Sequence, residues 1–362
     1  MCLNFHLNLD TMNKYTNIFP GIFMLNFFFL CFSITAFAQT EERTSVAHIG
    51  LIYPLSTNGK NAADYTNMFS LHAIAGLSKA ETGVAISGIS LLIKDSAKGV
   101  QISGVSNIIL NSSQGVQIAG IANITRHESR GIQIAGFMNF GEEAGAVQVA
   151  GFGNVTSKSV KGLQLSGFLN RTEDVNTQIS GFMNIAKNVK GVQLAGLINI
   201  ADSSDYPIGL LNFVKNGEKS ISLTIDETAT TMASFRSGGR VLYGILGVGY
   251  NLKNDDKSLY GIEAGLGAHI TVSNKFRINT EVVTQTLSDF KSGDHFKNTL
   301  RILPAFKILP QLEIFGGPSL NYVDYSKGKG DGLISHYLWK ERRGEDFRGL
   351  YFGFNAGMHF IL

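Results

Sequence analysis

The chain is poor in cysteine, proline, tryptophan and net charge, and each shortage excludes something. Its 362 residues hold two cysteines, six prolines and one tryptophan, and the net charge is only +3. Both cysteines, Cys2 and Cys31, fall in the first 38 residues. The rest of the chain can therefore have neither a disulfide framework nor a thiolate metal site. The near-balance of acids and bases does not argue for nucleic acid or another strongly anionic partner. Beyond Ile18–Ala38 there is no run of 18 or more apolar residues, so any crossing of a bilayer falls to strands. Local chemical signatures are missing too. There is no Gly-x-Ser-x-Gly elbow and no His-x-x-x-His spacing, and Ser326-Lys327-Gly328-Lys329-Gly330-Asp331 lacks the spacing of a phosphate loop.

The early apolar run follows Lys14 and ends in Ala36-Phe37-Ala38 before Gln39. This reads as a secretory leader, residues 1–38, cleaved between Ala38 and Gln39. The mature segment is then 39–362.

What is abundant is a repeat. Between Gly99 and Ile200 a Gln-x-x-Gly-x-x-Asn unit occurs seven times, at spacings of 14 to 16 residues. The paired amides are Gln101 and Asn107, Gln117 and Asn123, Gln133 and Asn139, Gln148 and Asn154, Gln164 and Asn170, Gln178 and Asn184, and Gln193 and Asn199. One copy is Gly131-Ile132-Gln133-Ile134-Ala135-Gly136-Phe137-Met138-Asn139-Phe140. Read with a period of two, one face is oily and the other carries Gln133, Ala135, Phe137 and Asn139. Short polar segments such as Gly141-Glu142-Glu143-Ala144-Gly145 separate the units. Degenerate copies extend the array to about 83–213.

A unit this short must be completed by its neighbours, and two architectures do that. In an antiparallel meander the near-palindrome about Gly136 sets Gln against Asn and Ala against Phe. A β-solenoid instead stacks each residue on its equivalent and needs a turn inside the unit at Ala-Gly-Phe-Met, a poor β-turn sequence. The meander is the favoured reading, with a repeat β-solenoid followed by a smaller C-terminal barrel as the alternative.

From 240 to 362 the repeat is lost and alternation sharpens. Charges keep to one face, among them Glu263, Arg277, Glu281, Arg301 and Glu313. The last segment, Leu350–Leu362, sets Leu350, Phe352, Phe354, Met358, Phe360 and Leu362 on one side, with Gly357, Phe360 and Leu362 spaced like a barrel-assembly signal. On these residues the chain resembles outer-membrane β-barrel proteins, ending in Leu rather than the usual Phe. The Gly-x-Gln-x-Ala-Gly-x-x-Asn array is also similar to uncharacterised bacterial surface repeat proteins. The resemblance implies an outer-membrane location, contact with outer-membrane lipid and recognition of the C-terminal strand by the barrel-assembly machinery.

The expectation is an all-β chain forming an antiparallel transmembrane barrel of about 16–18 strands, closed by the Val46 strand against the Leu350 strand. The fourteen repeat amides and the five charged residues would line its lumen, and Phe137, Phe152, Phe168 and Phe182 would also point inward. A lumen so lined suits a passive channel for small polar solutes; packed shut, it would be a structural or display barrel. A barrel lipid hydrolase is the enzymatic alternative, with His269, His295, His336 or His359 as base, but no local motif ties a serine to any of them. No cofactor is implied, and His48 and His72 lack metal-ligand spacing. The Asp324–Asp346 stretch, containing Trp339, reads as a long outer loop.

Overall fold

The structure, a computed structural model, describes residues 42–253, 259–291 and 293–362. The expected leader and its Ala38–Gln39 junction lie outside the described residues. Those residues are nearly all strand, with one short 3-10 turn at Gly59–Asp64. Of the meander and the solenoid, the chain takes the second: a parallel β-solenoid from Arg43 to Val214, then a closed antiparallel barrel from Lys219 to Ile361.

Each repeat forms one solenoid rung of two short strands. Ser113–Ala119 holds Gln117, and the strand starting at Ala122 holds Asn123. Rungs stack in register, so Gln117 meets Gln101 and Gln133, while Asn123 meets Asn107 and Asn139. The bend between the two strands needs no β-turn residues, because its amides bond to the rung before. Gly136 N–H donates to the Ala119 carbonyl at 3.1 Å, and Phe137 N–H to the Ile121 carbonyl at 3.0 Å. The phenylalanines stack on the outside of that corner, with ring centroids 4.9, 5.0 and 4.6 Å apart from Phe137 through Phe152 and Phe168 to Phe182. Their expected inward position is thus overturned. A bend at Ala-Gly turns the Phe side chain out while leaving Gln, Ala and Asn facing in.

Close stacking at the corner explains the Gly that each unit carries there. A Cβ at Gly136 would overlap the carbonyl oxygen of Gly120, whereas at Gly145, in the polar segment, the nearest atom would be 3.4 Å away. Gly136→Ala is expected to destabilise the solenoid by about 1–3 kcal/mol, since backbone cannot step aside as a side chain can. Gly145→Ala should change stability by less than about 0.5 kcal/mol. Urea denaturation followed by circular dichroism checks the pair; equal effects would contradict in-register stacking.

The barrel has eight strands, Lys219–Asp226, Thr230–Gly238, Leu242–Asn251, Tyr260–Thr271, Phe276–Ser288, His295–Leu309, Leu312–Ser326 and Asp346–Ile361. Each pairs antiparallel with the next, and the last closes on the first, with Phe360 opposite Ile221. The expected count of 16–18 strands falls to eight in the barrel because the repeats form rungs rather than staves. Closure is on the Lys219–Asp226 strand, not the Val46 strand. Trp339–Arg343 adds a short hairpin strand beside the start of the last stave, so the long loop is partly ordered.

Alternation is inverted relative to a soluble barrel. Ile221, Leu223, Val248, Ile262, Leu300, Ile302, Phe306, Phe352 and Phe354 are exposed on the outside, while Arg236, Glu263, Glu281, Arg301 and His359 are buried within.

Candidate functional site

Three polar assemblies are the candidates: the amide ladders of the solenoid, the charged interior of the barrel and the cavity at the barrel's mouth.

In the solenoid the amides bond one another along the stack, leaving end oxygens such as Gln101 Oε1, Asn107 Oδ1 and Gln193 Oε1 without a partner. Asn139 Nδ2 donates to Asn154 Oδ1 at 2.8 Å and to the Val149 carbonyl at 2.8 Å, and Asn154 Nδ2 repeats this toward Asn170 Oδ1 and the Leu165 carbonyl. The column continues through Asn184 and Asn199 to Asn212. The Gln column runs the other way: Gln148 Nε2 donates back to Gln133 Oε1 at 2.8 Å and Gln164 back to Gln148 at 2.9 Å. The two rows of amide dipoles therefore oppose each other, which limits the field they build along the stack. The fourteen repeat amides are buried and line the solenoid interior, not a barrel lumen as expected. Pro207 takes the Gln position in the last rung and ends that column.

The five charged residues expected in the lumen do face the barrel interior, and they neutralise one another there. Glu281 receives Arg236 Nε at 2.9 Å and Nη2 at 3.1 Å, the Tyr243 hydroxyl at 3.0 Å, and Arg301 Nη1 at 3.5 Å. Arg301 Nη2 donates to Glu263 at 3.0 Å, and Ser234 also donates to Glu263. Lower down, Arg277 forks onto Glu218 at 3.0 and 2.7 Å and pairs with Glu313, which His359 Nδ1 meets at 3.0 Å. Ile245, Val283, Leu303 and Phe315 fill the space between these groups. A fork of two parallel N–H···O bonds is the strongest way for a guanidinium to hold a carboxylate, and here the forks bridge across the barrel rather than along one strand.

At the rim with the short turns, a cavity of about 490 Å³ opens between Glu218, Arg240, His269, Lys275, Arg277, Lys307 and Glu313. Arg277 and Glu218 line it and are already paired.

The candidate bases are dispersed. His269 stacks on Tyr243 and hydrogen-bonds Asn279, His295 stacks on Tyr325, His359 serves Glu313, and His336 meets only the adjacent Ser335. One cluster had no signal in the sequence spacing. His48, His72 and Glu81 come together inside the first rungs, with Ser56 2.9 Å from His48 Nε2, and Asn67 and Ser70 donating to Glu81 at 3.0 and 2.9 Å. Burial pushes the Glu81 carboxyl up from its ordinary pKa. Rung stacking sets His48 on His72, 24 positions on, and Asn67 on Glu81, 14 positions on, so only the fold reveals the cluster. Asn67 offers an N–H, not an acceptor, to His48 Nδ1 at 3.4 Å. That is the wrong polarity for a base-orienting partner.

Charged residues outside the barrel collect along one edge of the solenoid, opposite the phenylalanine corner. Glu142 takes Lys158 at 2.5 Å and His127 at 2.8 Å, Lys187 meets Glu173 at 2.5 Å, and Lys215 meets Asp202 at 2.7 Å. The hydrogen bonds from Lys158 and His127 hold the Glu142 carboxyl down at about 2.

Among the described residues no group of three or more His, Cys, Asp or Glu is placed to hold a metal ion, and no helix is long and apolar enough to cross a membrane. Comparison with protein-family models, with curated proteins and with solved structures returns no match.

Proposed function

We propose that the chain is a non-enzymatic outer-membrane protein in which the eight-stranded barrel is a plugged membrane anchor carrying the repeat solenoid. The observation that carries this reading is the inversion of the barrel: apolar side chains outside, and an ion-pair network filling the inside. An eight-stranded barrel has an interior just wide enough for its own side chains, and here charged and apolar groups occupy it together. A charged interior and an oily exterior are stable only where the outside solvent is apolar.

By the same reading, the last strand is what the assembly machinery would recognise, and lipid is the barrel's partner. The rim with the turns at 239–241, 272–275 and 310–311 is the periplasmic one, since its connections are shorter than the 327–345 loop at the other end.

Two measurements test the proposal on the mature protein. Unboiled and boiled samples should migrate differently in detergent gels; identical mobility would remove the membrane barrel. Reconstituted into planar bilayers, the protein should show no stepwise conductance, and reproducible channel steps would replace the plug with a pore.

A further inference from the structure

The solenoid carries its polarity the same way round as the barrel. Its amides are inside, and its outer faces are apolar from rung to rung, with Ile102, Ile118 and Ile134 exposed along the Gln side and Ile121, Phe137 and Phe152 exposed along the corner. A monomer in water rarely leaves a continuous apolar surface of more than a few hundred Å². Here one runs the length of about eleven rungs, some 50 Å at the usual strand spacing.

Where the solenoid meets the barrel matters as much. Ser237 and Gly244 alternate with the inward Arg236 and Ile245, so they belong to the outer wall, yet both are buried. The last rung covers them. Asn212 N–H donates to Ser237 Oγ at 2.9 Å and Asn212 Nδ2 to the Ser237 carbonyl at 3.0 Å, and a Cβ at Gly244 would overlap the carbonyl of Gly209. Next to this seam, Phe213 on the solenoid faces Phe235 on the barrel wall, their centroids 6.4 Å apart. The array therefore starts on the wall's apolar side, near the short-turn rim.

We infer that the solenoid is itself a lipid-facing body: its phenylalanine corner and apolar faces lie among the acyl chains of the leaflet next to the short-turn rim, and its charged edge meets water. This rests on the proposal that the barrel spans the membrane. Three physical requirements are met. Apolar residues face outward and continue the barrel's belt across the Phe213–Phe235 seam. The ion pairs of Glu142, Lys158, Glu173 and Lys187 are confined to the opposite edge, as in a surface-lying amphipathic element. Backbone groups along the array are bonded to neighbouring rungs, and the amide side chains, including the few oxygens without a partner, are buried inside, so the outer faces present little hydrogen-bonding demand to a medium that cannot meet it.

The test uses single tryptophans in a Trp339→Phe background, refolded into phosphatidylcholine vesicles with brominated acyl chains. Phe152→Trp, and Ile121→Trp as a second probe of the same edge should the first disturb the stack, are expected to lose emission as strongly as Leu300→Trp on the barrel belt. Lys161→Trp on the charged edge should keep its emission. Quenching at Leu300→Trp without quenching at either corner probe would overturn the inference and leave the barrel reading standing. If the corner probes are then shielded only at high protein-to-lipid ratio, a second copy covers the face instead. No quenching at any position would overturn both readings.

Discussion

Glu281→Ala is expected to cost the barrel about 3–5 kcal/mol, the range for removing one partner of a buried ion pair. Glu281 is fully buried and is the acceptor shared by Arg236, Arg301 and Tyr243. Without it two guanidinium groups face each other in a closed interior. Water cannot reach them in number; Glu263 already serves Arg301 and Ser234, and Glu313 serves Arg277 and His359. The loss should show as a lower urea or thermal midpoint for conversion of the compact to the unfolded gel species. Pairing the substitution with Arg236→Met should restore part of it, because replacing a buried pair by apolar side chains of similar size is often close to neutral. A loss below about 1 kcal/mol, the scale of a solvated pair, would mean that the interior is wet, and would count against the plug.

Asn154→Ala is expected to be comparably damaging to the solenoid. Asn154 accepts from Asn139 at 2.8 Å and donates to Asn170 at 2.8 Å and to the Leu165 carbonyl at 2.9 Å. Alanine leaves the Leu165 carbonyl and Asn170 Oδ1 without that donor inside the stack. Each such buried orphan costs about 1–3 kcal/mol, so the sum should be about 3–5 kcal/mol once the opened space is included. Because each rung touches only its neighbours, the damage should appear as new protease cleavage near the middle of the array while the barrel stays compact. Gln114→Ala, at an exposed position of the polar edge, should stay within about 0.5 kcal/mol. Equal behaviour of the two variants would argue that the amide column contributes nothing to the stack.

Much of this architecture was legible in the residues. Strand alternation and the inward set of Glu263, Arg277, Glu281, Arg301 and Glu313 follow from a period of two and from the segregation of charge onto one face, whereas the array read as about 83–213 belongs to a solenoid that already begins at Arg43. The amides were legible as interior groups, but of the wrong body. Gln133, Ala135 and Asn139 share a parity in a straight strand and still face one way when the chain bends at Gly136, so the pattern is the same for a stave and for a rung. Phe137 has that parity too, yet sits outside the corner. The difference lies in which backbone pairs with Gly136 and Phe137. In a turn within one hairpin those groups need Gly, Asn or Pro at set positions, whereas in a stack they bond to Ala119 and Ile121 of the rung before, and any residue with room will do.

The sequence by itself determined an all-β chain with a repeated, amide-bearing unit and an oily face. Only the tertiary structure decided that the unit stacks on its copies, that eight strands close the barrel on Lys219–Asp226, and that the last rung seats on the barrel's outer wall. Each of those choices is a pairing between residues distant in the chain: the stack and the closure are set by backbone hydrogen bonds that every residue type except proline can make, and the seat by the Asn212 and Ser237 side chains.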